Sequence, residues 1–175
     1  QTRDKEVKAF AKTIISRIRS INVTYDLLAR TGANSVNLKA MLVRIMESSL
    51  ESGNVSGCQI SADVSGDELE LTTSTASTVA LIVNELLQNS LKYAFQGRDR
   101  GTIILTIEKG TDDSWITVSD DGCGFDEKSE KKQGSGLGLK LIDSLVKSKL
   151  KGQITISSGD GGTSTRFSFR STAKK

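Results

Sequence analysis

Apolar residues recur at helical spacing in some stretches and at every second position in others, and the changes of period divide the chain. Val7, Ile14, Ile21 and Leu28 repeat every seven, and Ala11, Ile18 and Tyr25 fall four after the first three. That interleaving is an a/d seam with Lys and Arg at many positions between, and it predicts a long helix. Gly32, Ala33 and Asn34 break it, and Asn34 or Ser35 is a candidate cap for a second helix from Val36 to about Leu50. SGNVSG, 52–57, is a turn-rich joint. After the joint, QISADV (59–64) and ELELTT (68–73) alternate like strands around Ser65, Gly66 and Asp67, which predicts a hairpin.

A helix is then predicted from about Thr75 to Phe95, with Val83, Leu86, Leu87, Leu91 and Ala94 on its apolar side. Opposite them, Glu85, Asn89 and Lys92 lie four and three residues apart, within roughly 60° of one another on an ideal helix. TIILTIEKG (102–110) and SWITVSDDG (114–122) read as a second hairpin. DEKSEKKQGS, 126–135, has no apolar period and predicts a mobile loop. Leu137, Leu141, Ile142, Leu145, Val146 and Leu150 mark another helix, and QITISS (153–158) and TSTRFSF (163–169) are two closing strands around GDGG. The order predicts an α+β sandwich: an antiparallel or mixed sheet with helices on one face, and the N-terminal helical pair as an addition.

Composition narrows the function classes. A chain of 175 residues is one domain, or one domain with an appendage, and 36% hydrophobic and 26% charged positions suit a soluble globular protein. The net charge of +3 is too small an excess to argue for nucleic acid, and no apolar run is long enough to span a bilayer. The chain opens on Gln1 inside a periodic helix, which leads to the expectation of a piece of something longer. It holds Cys58 and Cys123 and no histidine, which excludes a Cys/His zinc site and any imidazole chemistry from its own residues. The cysteines are expected to be reduced thiols in a cytoplasmic domain.

Candidate chemistry gathers at four places. Asp120-Asp121-Gly122-Cys123-Gly124 follows a strand; Gly134-Ser135-Gly136-Leu137-Gly138-Leu139 opens a helix; Gly161-Gly162-Thr163 opens the last strand; and the Glu85, Asn89, Lys92 stripe is the fourth. A Rossmann reading of GSGLGL fails on context, because its glycines follow a charged loop and not a strand. Glycines at a helix start still present N–H groups to an anion, and Lys92, Lys131 and Lys132 add charge for the same phosphates. The Asp120 carboxylate can accept a hydrogen bond from an exocyclic amine, Thr163 can hold a water or a ring nitrogen, and Asn89 offers a neutral oxygen to Mg²⁺.

NELLQNSLKYAF resembles the N box, DDGCGF the G1 box and GSGLGL the G2 box of the GHKL ATPases, and GGTSTRFSF resembles the final glycine-containing strand of that domain. The superfamily spans gyrase B, mismatch-repair and heat-shock chaperone ATPases and sensor histidine kinases. The Asn-Glu-Leu start and the short lid are similar to the HisKA_2-like branch of histidine kinases. The resemblance implies the Bergerat fold: an α+β two-layer sandwich with a mixed, mostly antiparallel sheet covered by helices on one face. It assigns residues 1–53 to a helical dimerisation and phosphotransfer hairpin and 54–175 to an ATP-binding catalytic domain. It implies ATP and Mg²⁺ as ligands, Asn89 on the metal, and Asp120 on the adenine amino group with help from Gly122, Gly124 and Thr163. Lys92 and Tyr93 would contact phosphate or ribose, and Lys131, Lys132 and the loop from Gly134, Ser135, Gly136 and Leu137 to Gly138 and Leu139 would cover the phosphates. Glu85 would orient or polarise the attacking group.

The partners so implied are a response regulator and a second copy of the chain, joined through the N-terminal helices. With no histidine present, residues 1–175 cannot phosphorylate themselves on histidine, and either the accepting helix lies upstream or the parent protein has lost it. The competing readings are an anti-sigma-type serine kinase, an ATP-hydrolysing member, and a nucleotide-sensing pseudokinase module.

Overall fold

A computed structural model describes residues 35–52, 57–125 and 136–170. The heptad seam from Val7 to Leu28, the joint at 53–56 and the loop at 126–135 lie outside the described residues. The described chain runs β1 (Ser35–Asn37), α1 (Leu38–Ser52), β2 (Gln59–Gly66), β3 (Glu70–Thr72), α2 (Thr73–Asn89), β4 (Arg100–Glu108), β5 (Asp113–Asp120), α3 (Gly136–Leu145), β6 (Ile154–Gly159) and β7 (Gly162–Arg170). Single π-helical turns extend α2 over Ser90–Ala94 and α3 over Val146–Leu150.

Five strands form one sheet in the order β2-β4-β5-β7-β6, parallel only between β2 and β4. The two hairpins expected in the second half are present, as β4–β5 and β6–β7. Alternation then sorts the strands' side chains between two faces. On the covered face Leu105 stands opposite Val118, Ile107 opposite Ile116, and Ile116 opposite Phe167, all buried. The other face carries Glu108 opposite Trp115 and Thr117 opposite Arg166. There the Arg166 guanidinium lies 4.7 Å from the Trp115 ring centroid and donates to Glu108 at 2.8 Å.

The covered face and the three helices share one core. Leu38, Leu42 and Ile45 of α1, Ala76, Val79, Ile82, Val83 and Leu87 of α2, and Ile142 and Val146 at α3 and its extension belong to it together with the strand residues. Leu38–Ser52, which the sequence assigns to the helical appendage, is thereby packed onto α2 and β2. Its cap is two or three residues later than the expected Ser35 or Asn34: the Asn37 side chain accepts from the Ala40 N–H at 2.8 Å. The Thr72 hydroxyl caps α2 in the same way, accepting from the Thr75 N–H at 3.3 Å.

The expected hairpin between 59–64 and 68–73 does not form. β2 pairs along its length with β4, and β3 pairs antiparallel with β1 in a separate two-stranded sheet. The intervening turn is tied to the end of β4: the Asp67 N–H donates to the Ile107 carbonyl at 2.9 Å, and the Asp67 carboxylate accepts from the Lys109 N–H at 2.7 Å. With β4 beside β2, Leu69 and Leu71 bury their side chains in the common core. Apolar alternation gave β3 its period; burial decided its partner.

Candidate functional site

The site is built where β5 ends. Asp120 is the last residue of that strand, and its carboxylate gathers three donors from three segments. Oδ1 accepts from the Gly122 N–H at 3.1 Å and the Thr163 N–H at 3.2 Å; Oδ2 accepts from the Ser90 hydroxyl at 2.6 Å. The Gly122 bond is local turn chemistry of an aspartate with the backbone two residues on. The other two reach 43 and 30 residues along the chain, so they bring β7 and the end of α2 to the same carboxylate. An ionised carboxylate has roughly four acceptor positions, and three are committed here.

The turn after Asp120 is held from two sides. The Cys123 N–H donates to the Ala94 carbonyl at 2.9 Å, pinning the turn to the π-helical end of α2. A Cβ on Gly122 would stand 2.3 Å from the Ala94 Cβ, so only glycine allows this approach. On the other side the Phe125 N–H donates to the Ser158 hydroxyl at 2.8 Å, and Ser158 shares a 2.9 Å hydrogen bond with Thr163. Gly124 lies against the Gly159 carbonyl. Asp121, beside Asp120, faces β4 instead: its carboxylate accepts from the Thr102 N–H at 2.7 Å, and its carbonyl accepts from Arg98.

Gly162 forms the opposite wall. Its φ of +113° lies in the region that favours glycine, and an added Cβ would come 1.9 Å from the Asp120 carbonyl oxygen. β5 and β7 can therefore run in register to their ends, with Asp120 opposite Thr163.

The stripe on α2 differs from a simple wet face. Glu85 is buried at 5% exposure beside Asn84 at 6%, Asn89 is half-buried, and Lys92 is exposed. The helix is apolar or enclosed nearly all round from Ile82 to Leu87 because α1 covers one side and the sheet another. The π-turn after Asn89 then changes the angular spacing, so Lys92 does not follow Glu85 and Asn89 at the α-helical interval. Lys92 instead places its ammonium 4.9 Å from the ring centroid of the exposed Tyr93.

Of the predicted site residues, Asp120, Gly122, Gly124 and Thr163 thus converge, joined to the Asn89–Tyr93 end of α2 through Ser90, Ala94 and Cys123. Gly136, Leu137, Gly138 and Leu139 form the first turn of α3, which packs beside α2, and Leu139 sits partly buried against the core. Lys131, Lys132, Gly134 and Ser135 lie outside the described residues. Sequence reasoning missed Ser90 and Ser158. A serine one residue after Asn89 carries no periodic signal, and only the fold turns it toward Asp120.

Residues 74–173 match the histidine kinase-, DNA gyrase B-, and HSP90-like ATPase family. The chain is 26% identical over 141 residues to the sensor histidine kinase PdtaS of Mycobacterium tuberculosis, a match covering 80% of this chain and 28% of the relative. It is 34% identical over 80 residues to the serine-protein kinase RsbW of Listeria monocytogenes, covering 38% of this chain and 51% of that one. The solved histidine kinase domain of the Erythrobacter litoralis EL346 blue-light activated histidine kinase superposes with a TM-score of 0.76 at 25% identity, over 89% of this chain and 73% of that one. The chain thus spans less than a third of the PdtaS relative's length. On the match over residues 74–173 and the shared fold, the chain belongs to the histidine kinase-, DNA gyrase B-, and HSP90-like ATPase family.

Proposed function

We propose that this chain is the ATP-binding catalytic domain of a two-component sensor histidine kinase, which passes the γ-phosphate of ATP to a histidine outside these 175 residues and thence to a response regulator. The observation that carries the reading is the Asp120 carboxylate, held by three donors with one acceptor position to spare at the junction of β5, β7 and α2. An anionic acceptor suits an exocyclic amine, and Gly122 and Gly162 let the end of α2 and the end of β5 close around it where a Cβ would clash with Ala94 or the Asp120 carbonyl. Tyr93 and Lys92, both exposed near the end of α2, would contact ribose and phosphate, and N–H groups at the start of α3 would meet the remaining phosphate oxygens.

No group of three or more His, Cys, Asp or Glu residues that could hold a metal occurs among the described residues. The neutral side-chain oxygen of the half-buried Asn89 fits Mg²⁺ carried by a nucleotide, with phosphate and water giving the other oxygens. Magnesium would neutralise phosphate charge and help align the transferring group. The chain's own residues then bind and orient: Asp120 fixes the base, Asn89 the metal side of the phosphates, and the buried Glu85 orients or polarises the incoming imidazole. The chain has no histidine, so that imidazole comes from outside it.

We further assign α1 to the catalytic domain with which it shares a core, leaving the segment before Ser35 as the dimerising helix and the domain as cytoplasmic. No helix among the described residues is long and apolar enough to cross a membrane.

Asn89→Ala tests the assignment. Calorimetric ATP affinity in Mg²⁺ should fall by about tenfold or more, the scale of one lost charge-assisted contact, with the melting temperature unchanged. Undiminished affinity removes Asn89 from the metal site. The likeness to RsbW supports a second reading, transfer to a serine of a partner protein. Phosphate on the acceptor that survives acid would favour serine; acid-labile phosphate favours histidine.

A further inference from the structure

We propose that Ser90 is a positioning residue that sets the base specificity of this site, by committing one acceptor position of the Asp120 carboxylate so that the last one accepts a single N–H from the ligand. The inference rests on the nucleotide-binding reading above and adds a residue to it. Ser90 is buried at 8% exposure, and its hydroxyl donates to Asp120 Oδ2 at 2.6 Å, within the range of a charge-assisted O–H···O⁻ bond. Oδ1 is occupied by the Gly122 and Thr163 N–H groups, so the carboxylate can neither rotate nor exchange its oxygens without breaking bonds on both sides.

What remains is one lone pair on Oδ2, and its direction is dictated by the serine that takes the other. A purine bearing an amine at C6 can donate to it. One bearing a carbonyl there presents oxygen to oxygen and leaves the carboxylate without its donor, the kind of mismatch that polar sites reject strongly.

The position of Ser90 gives it this reach. It is the first residue of the π-turn that ends α2, and its own N–H still bonds back to the Leu86 and Leu87 carbonyls. The hydroxyl therefore projects from a backbone anchored in the core, between Asn89 on the phosphate side and Leu91 in the apolar layer.

Calorimetry on the 175-residue chain with ATP and with ITP, each with Mg²⁺, tests the inference. Wild type should prefer ATP over ITP by about a hundredfold, and Ser90→Ala should cut that ratio by about fivefold or more, the scale of one hydrogen bond to a charged group. Ser90→Thr, which restores the hydroxyl, should recover most of the ratio. A nucleotide-free melting temperature close to wild type in each variant separates a loss of positioning from a loss of fold. An unchanged ratio in Ser90→Ala overturns the inference, and so does an equal fall in Ser90→Thr. Wild-type protein that binds neither nucleotide, or both equally, overturns the nucleotide reading itself and this inference with it.

Discussion

Single residues decide whether the ends of β5 and β7 can meet. Gly162 combines a left-handed φ of +113° with a carbonyl oxygen where its Cβ would be, so Gly162→Ala meets two obstacles at once. Urea denaturation should show a loss of about 1–3 kcal/mol, and ATP affinity should fall with it because Thr163 and Asp120 part. A variant as stable as wild type would mean that the strand ends relax at no cost. These roles were only half legible in the sequence. Asp120 and Gly122 stood out because DDGCGF after an alternating run resembles the G1 box, although an aspartate and a glycine there also suit an ordinary tight turn. Ser90 did not stand out, because nothing in LQNSLKYAF separates a helix-surface serine from one aimed at a carboxylate 30 residues away.

Elements, by contrast, were read well where the partner was next in sequence. The β4–β5 and β6–β7 hairpins follow from alternation interrupted by short polar turns. The β2–β3 pairing was misread because period 2 states that a segment is a strand but not which edge it joins, and β4 lies more than thirty residues beyond β2. α2 was found as a helix, yet its enclosure between α1 and the sheet was not visible in its pattern. That enclosure buries Asn84, whose Nδ2 has no partner among the described residues and whose Oδ1 accepts from Ser49 at a long 3.5 Å. An amide desolvated on these terms costs more than its one bond returns. Asn84→Leu, similarly branched and apolar, should leave stability unchanged or raise it by up to about 2 kcal/mol in chemical denaturation. A loss above about 1 kcal/mol would show that the larger side chain strains the α1–α2 packing more than the amide does.

At the scale of the whole molecule, the proposed function makes the domain a nucleotide cradle whose histidine acceptor lies outside it. The chain contains no histidine, so incubation with γ-labelled ATP·Mg²⁺ should leave no acid-labile, base-stable phosphate on it. Labelling of that kind on this chain would refute the division of labour proposed above. The absence was plain from composition, whereas the packing of α1 into the core it shares with α2 and the sheet was not, because apolar helical faces do not announce what they cover.

The Trp115–Arg166–Glu108 cluster on the uncovered face has a practical consequence. Trp115 is the protein's sole indole, and the β-sheet separates its face from the helices and from Asp120. Its ultraviolet emission should stay almost constant as a nucleotide occupies the Asp120 site, and should shift or quench when another protein is laid over the Trp115 face of the sheet.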